Sequence, residues 1–255
     1  MVGWRTLLVL WTVVALACHP GRRRAPVQLP QIVVWAWDRA EDLRFLGERP
    51  GHDVGVAYLA ATIVIAGDRV ARLSRGSALA LPENVPAIPV VRIEADLGPP
   101  SILGESQRAE LRRLLASEVR GGALQIDFEA RASERDFYRR LLVELRNDLG
   151  PQVGLSVTAL ASFCLGDRWM ADLPVDEIVP MFYRLGAEGR RLRAALRSGV
   201  DLASECRAAH GLILDEPMVL PPTPRRLYLF SPTAWREESL ERTLARLAAK
   251  PPEGR

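Results

Sequence analysis

From residue 31 onward the chain alternates short apolar runs with amphipathic stretches. Eight runs read as strands, over 32–37, 54–63, 88–94, 123–129, 154–160, 177–183, 211–215 and 226–230. Most are apolar at nearly every position, the pattern of strands covered on both faces. Helices are predicted over 105–119, from Ser133 past Leu145, over 190–197 and over 237–249. The first places Leu111, Leu114 and Leu115 on one face; the second does so with Phe137, Leu141, Leu142 and Leu145. Ser133 is expected to cap the second helix, with Asp136 completing a capping box. Strand–helix alternation implies right-handed crossovers and a parallel sheet. Eight such strands predict an α/β fold of one domain, a (β/α)8 TIM-like barrel. The region near the second strand is irregular: 64–86 holds Val70-Ala-Arg-Leu73 and a Pro-rich stretch, so a hairpin is expected in place of a helix. The rival is an open doubly wound sheet, but no Gly-rich phosphate loop follows the first strand.

The N-terminus changes the picture of where the barrel works. Arg5 precedes an apolar run from Thr6 to Ala17 that ends at Cys18. A dozen apolar residues fall short of the roughly 20 that span a bilayer and suit a signal peptide. Leu16-Ala17-Cys18 resembles the lipobox of bacterial lipoproteins, with Ala15 where leucine is usual. The expected organisation is a lipoprotein-type signal peptide over 1–17, a Pro/Arg-rich tether over 18–30 and a barrel over 31–250. Cys18 would carry the lipid, and the protein would be exported and anchored, facing the periplasm or cell exterior. Cys164 and Cys206 then lie in a compartment that permits a disulfide; two buried thiols are the alternative.

Composition adds little. The 255 residues suffice for one large core. The net charge of +3 comes from arginines interleaved with acids, Lys250 being the lone lysine. Basic charge is not gathered into a stripe, so no nucleic-acid partner is expected. His19, His52 and His210 are scattered without metal-ligand spacing, and no Gly-x-Ser-x-Gly elbow occurs. Neither a metal nor another cofactor is expected, the alternative being an acidic cation site built from Asp127, Glu129 and Asp215.

The candidate chemistry lies in the fourth run. Strand alternation gives Gln125, Asp127 and Glu129 one face and Ile126 and Phe128 the other. The polar face points into the barrel, toward the C-terminal rim where barrel enzymes keep their active sites. Carboxylates two residues apart on a strand stand about 7 Å apart, close enough to couple and to keep one protonated as a general acid. Other strand ends supply Trp35 and Trp37, Arg92 and Glu94, Thr158, Met181 and Tyr183, Asp215 and Glu216, and Trp235 after the last run. Aromatic faces beside carboxylates and arginine suit sugar rings. For Arg92 and Glu94, a mutual ion pair is as good a reading as catalysis.

Leu124-Gln-Ile-Asp-Phe-Glu129 resembles the fourth-strand motif Asp-x-x-Asp-x-Asp-x-Glu of chitinase-type family-18 glycoside hydrolases, and Met181-Phe-Tyr183 resembles their sixth-strand Met-x-Tyr. The resemblance implies that Glu129 protonates the glycosidic oxygen, Asp127 orients the substrate's acetamido group and Tyr183 steadies the intermediate. Gly122 and Gln125 stand where the motif has its first two aspartates, and Arg184 where an acid commonly follows the tyrosine. The whole chain after residue 30 more closely resembles a bacterial family, domain of unknown function 3142. The carrying segments are Val34-Trp-Ala-Trp-Asp-Arg39, Gln125-Ile-Asp-Phe-Glu-Ala-Arg131, Ser156-Val-Thr-Ala-Leu-Ala-Ser162, Leu165-Gly-Asp-Arg-Trp169 and Asp215-Glu-Pro217. That resemblance implies a glycosidase-like barrel. The leading expectation is a hydrolase acting on an envelope or scavenged glycan. The alternatives are a non-catalytic carbohydrate-binding barrel and a structural lipoprotein docking an envelope partner.

Overall fold

The computed structural model describes residues 29–49, 53–96, 103–165, 167, 169–186, 189–198, 202–217 and 226–249. Its strands are β1 (Ile32–Ala36), β2 (Glu41–Asp42), β3 (Val54–Ala66), β4 (Arg69–Ser74), β5 (Leu79–Ala80), β6 (Ala87–Asp96), β7 (Ala123–Asp127), β8 (Gly154–Leu160), β9 (Glu177–Met181), β10 (Ala209–Ile213) and β11 (Arg226–Phe230). Its α-helices are α1 (Glu105–Ser117), α2 (Arg135–Leu149), α3 (Ala161–Leu165), α4 (Gly189–Arg197) and α5 (Glu237–Ala248). Strands β1, β3, β6, β7, β8, β9, β10 and β11 run parallel in that order, and β1 pairs with both β11 and β3. The sheet is therefore a closed eight-stranded barrel with helices outside it, a single (β/α)8 TIM-like fold.

Side-chain alternation divides the apolar residues into two cores. Val33, Trp35, Ala57, Val90, Val179, Met181 and Tyr228 meet inside the barrel. Val34, Val56, Leu124, Ile126, Val157, Ile178 and Leu212 point outward. There α1 supplies Leu111, Leu114 and Leu115, and α2 supplies Phe137, Tyr138, Leu141, Leu142 and Leu145. Burying each leucine stabilises the fold by roughly 2 kcal/mol. The helix spacing read from the sequence thus matches the buried face, but the start of α2 differs. Ala132–Glu134 forms a 3-10 turn, and the Glu134 carboxylate accepts the Arg131 backbone N–H at 2.7 Å. Neither Ser133 nor Asp136 caps the helix, whose N-cap is Glu134.

The second barrel unit contains the expected hairpin. Residues Ala61–Ala66 of β3 pair antiparallel with β4, and the same stretch pairs with the long β6. Arg75 fastens the following loop by donating to the carbonyls of Ala36 and Leu59 at 3.1 and 3.4 Å. β8 and β11 match their predicted spans; β3 and β6 run longer, β1 stops one residue short, β7 and β9 stop two residues short, at Asp127 and Met181, and β10 is shifted to Ala209–Ile213.

At the opposite end of the barrel, Leu29 and Pro30 belong to the fold, not to a tether. Leu29 is buried in the inner core, and both backbone carbonyls accept from Arg226 at 3.1 Å. The predicted signal peptide, Cys18 and the rest of the tether lie outside the described residues. Cys164 on α3 and Cys206 form a disulfide with Cα atoms 5.9 Å apart and a sequence separation of 42. A loop of that length stabilises by about 4 kcal/mol if chain entropy dominates. Among the described residues, no helix is long and apolar enough to cross a membrane.

Candidate functional site

The C-terminal mouth of the barrel holds a cavity of about 320 Å³. Trp35, Trp37, Val90, Arg92, Asp127 and Glu129 line one part of it, and Leu160, Met181, Tyr183, Arg184 and Phe230 complete the wall. A smaller space of about 210 Å³ adjoins it, sharing Arg92, Asp127 and Glu129 and adding Glu94, Arg131 and Glu134. The strand ends have converged as a barrel requires.

Four rings form the aromatic wall. Tyr183 and Phe230 stack with centroids 5.8 Å apart and planes at 10°. Trp35 meets them edge-on at 6.5 and 6.3 Å, and Trp37 meets Phe230 at 6.1 Å. Trp35 is 3% exposed and forms the floor, whereas Trp37 is half-buried and offers its ring to the cavity. The Arg92 guanidinium lies 5.4 Å from the Trp37 centroid, a cation–π distance.

The carboxylates occupy unlike environments. Asp127 is 7% exposed; it accepts the Thr158 hydroxyl at 2.6 Å and has Arg92 at 3.8 Å. Burial raises its pKa most strongly, with Glu94 adding to the rise; Thr158 and Arg92 oppose it. Glu129 lies two residues beyond the strand, exposed at the mouth, and makes no hydrogen bond among the described residues. Partial desolvation raises its pKa first, the Asp127 charge second, with Arg92 again opposing. Both groups therefore hold protons to higher pH than free carboxylic acids, the property a general acid needs. Tyr183 is held neutral by burial and by both carboxylates, its pKa pushed far up. Its hydroxyl contacts the Met181 sulfur at 3.2 Å.

The remaining predicted residues are placed as follows. Arg92 and Glu94 form the mutual ion pair, at 2.8 Å. Thr158 acts on the site only through Asp127. Gln125 is fully buried below the cavity, accepting from the Trp35 indole at 3.1 Å and donating to the Ser156 hydroxyl at 3.0 Å. Asp215 falls in the exposed turn after β10, away from the cavity lining, because the strand is set two residues earlier than its apolar run suggested. It therefore builds no cation site with Asp127 and Glu129. Glu216 accepts the Arg184 backbone N–H at 3.0 Å and does not line the cavity. Trp235 is buried at 3% exposure; its indole donates to the Trp35 carbonyl at 2.8 Å, so it braces the floor from outside. Among the described residues, no three His, Cys, Asp or Glu side chains cluster closely enough to share a metal ion.

Two features escaped the sequence reading. Phe230 contributes to the wall, and alternation of Arg226, Tyr228 and Phe230 along the last apolar run was the available signal. Beneath the site runs a buried polar network. Ser156 and Tyr228 donate to Glu177 Oε2 at 3.2 and 2.6 Å, and Arg226 pairs with the other oxygen. Gln125 joins this network to Trp35. Arg226 and Tyr228 share one face of β11, but no pattern in the sequence links them to Gln125, Ser156 and Glu177, each on a strand of its own. The glycine at 122 has a backbone explanation: its φ of 72° launches β7, a conformation glycine adopts without cost.

No family model, curated protein or solved structure matches the chain.

Proposed function

We propose that the barrel binds a glycan at its C-terminal mouth and hydrolyses it, with Glu129 as general acid. The observation that carries this reading is a protonatable, solvent-reached carboxyl at Glu129, set beside buried Asp127 under a wall of aromatic rings. Flat aromatic faces take the C–H faces of sugars, while Asp127, Arg92 and Glu129 offer hydrogen bonds to hydroxyls. In the step envisaged, the Glu129 proton passes to the glycosidic oxygen as its bond to the anomeric carbon breaks. Water then supplies the hydroxyl to that carbon and returns a proton to Glu129. Asp127, oriented by Thr158, holds the sugar's neighbouring substituent, and Tyr183 donates toward the reacting ring. The likeness of Gln125-Ile-Asp-Phe-Glu129 to the family-18 catalytic strand points the same way. We further propose export and anchoring through Cys18, and the Cys164–Cys206 bridge favours an oxidising compartment.

A glycan screen with mass-spectrometric detection of bound and cleaved species tests the reading. Glu129→Gln is expected to cut turnover by about 10²–10⁴-fold while leaving affinity within about threefold. Turnover of the wild type should fall as pH rises through the raised Glu129 pKa, because the acid then lacks its proton. An active Glu129→Gln variant removes the proposed role, and binding without any product favours a carbohydrate-binding barrel. Cys18→Ala should release the protein from membranes.

A further inference from the structure

Arg184 stands out among the residues at the mouth. It follows Tyr183, is one of the residues lining the larger cavity, and its backbone takes φ 49°, in the left-handed region. Asp172, at φ 60°, is the other non-glycine residue there among those described. Aspartate tolerates that region through local hydrogen bonds from its short side chain; arginine has no such compensation. The conformation is held from outside. The Glu216 carboxylate accepts the Arg184 N–H at 3.0 Å, and Glu216 lies 3.7 Å from Arg193 on α4. Backbone kept against its local preference by surrounding contacts is characteristic of positions fixed for a task.

The loop thus sets an arginine in the wall of the cavity, beside Tyr183. Arg92, the other arginine of the lining, gives its Nε–H to Glu94 at 2.8 Å, and its charge is shared between Glu94, Asp127 at 3.8 Å and the Trp37 face. The Arg184 side chain makes no hydrogen bond or ion pair among the described residues. A guanidinium offers parallel N–H donors that match a carboxylate in two-pronged fashion. We infer that Arg184 binds the carboxylate of an acidic sugar, so that the ligand is a uronate-containing glycan. This rests on the cavity being a glycan site. A neutral sugar leaves the Arg184 donors to water, whereas a uronate takes two of them.

The test compares oligosaccharides of galacturonate and of hyaluronan with their carboxyl-reduced counterparts, binding to the full chain followed by calorimetry and tryptophan emission. Arg184→Gly is the informative variant, since glycine adopts φ 49° freely and keeps the N–H that Glu216 accepts. The wild type should favour at least one acidic oligosaccharide about tenfold or more over its reduced form. In Arg184→Gly the preference should drop below about twofold, with affinity for the reduced form unchanged and thermal stability retained. A preference that survives Arg184→Gly, or a wild type indifferent to the carboxylate, overturns the inference. Arg184-dependent binding with no product released supports it while overturning hydrolysis. Failure of every oligosaccharide to bind overturns the glycan reading, and this inference with it.

Discussion

The two ends of the barrel interior treat charge in opposite ways. At the N-terminal end, Glu177 is 4% exposed and both its oxygens are used, by Arg226 and by the Tyr228 and Ser156 hydroxyls. At the C-terminal end, Asp127 is almost as buried but has one close hydrogen bond and an arginine at 3.8 Å, and Glu129 has no hydrogen bond among the described residues. A buried charge with every lone pair satisfied is a structural element; one left partly unsatisfied raises its pKa and waits for a partner. The same fold thus satisfies its buried polar groups below and leaves them partly unsatisfied above. Gln125 and Trp35 stand at the boundary between the two regimes.

The contrast can be broken most severely from below. Glu177→Ala leaves the Arg226 charge unpaired and is expected to destabilise by about 3–5 kcal/mol, read by denaturant unfolding. A loss under about 1 kcal/mol would mean that the network is not structural. Next comes the boundary. Gln125→Leu removes the acceptor of the Trp35 indole and the donor to Ser156, at a cost of about 1–3 kcal/mol. It should also shift the Trp35 emission and weaken glycan affinity, whereas a purely local role would leave affinity untouched.

The smallest effect, with the opposite sign, is expected above. Asp127 has a folded pKa raised over its unfolded value, so its contribution to stability is fully present in acid and lost as pH rises through the folded pKa. Asp127→Asn keeps the acceptor for Thr158 but cannot ionise. It should therefore gain about 1 kcal/mol, a rise of roughly 2–4 °C in Tm, at neutral pH and nothing below about pH 3, under the unfolded-state pKa. Scanning calorimetry at the two pH values checks this. A destabilised Asp127→Asn at neutral pH would put Asp127 in the structural class with Glu177.

How far each of these could be read in advance follows the range of the interactions. Period-two alternation and apolar runs fix which side of a strand faces in, and helical spacing fixes which leucines are covered; both act within a few residues of chain. They gave the eight barrel strands, the hairpin near the second strand and the inward course of Gln125 and Asp127. Where a strand stops is decided by its neighbours' hydrogen bonds, so the early end of β10, and with it the displacement of Asp215, was invisible in the run Gly211-Leu-Ile-Leu-Asp215. Trp235 likewise looked like a sugar platform until the closed ring placed its indole against the Trp35 carbonyl, 200 residues away.

The sequence by itself therefore determined the parallel barrel and the presence of Asp127 and Glu129 at one strand end, because those rest on local periodicity. The tertiary structure alone decided their difference: burial and Thr158 for Asp127, an open mouth for Glu129. It also decided the left-handed backbone of Arg184, held by Glu216, and the network around Glu177. Desolvation and charge pairing depend on which strands become neighbours, and closure of the barrel sets that.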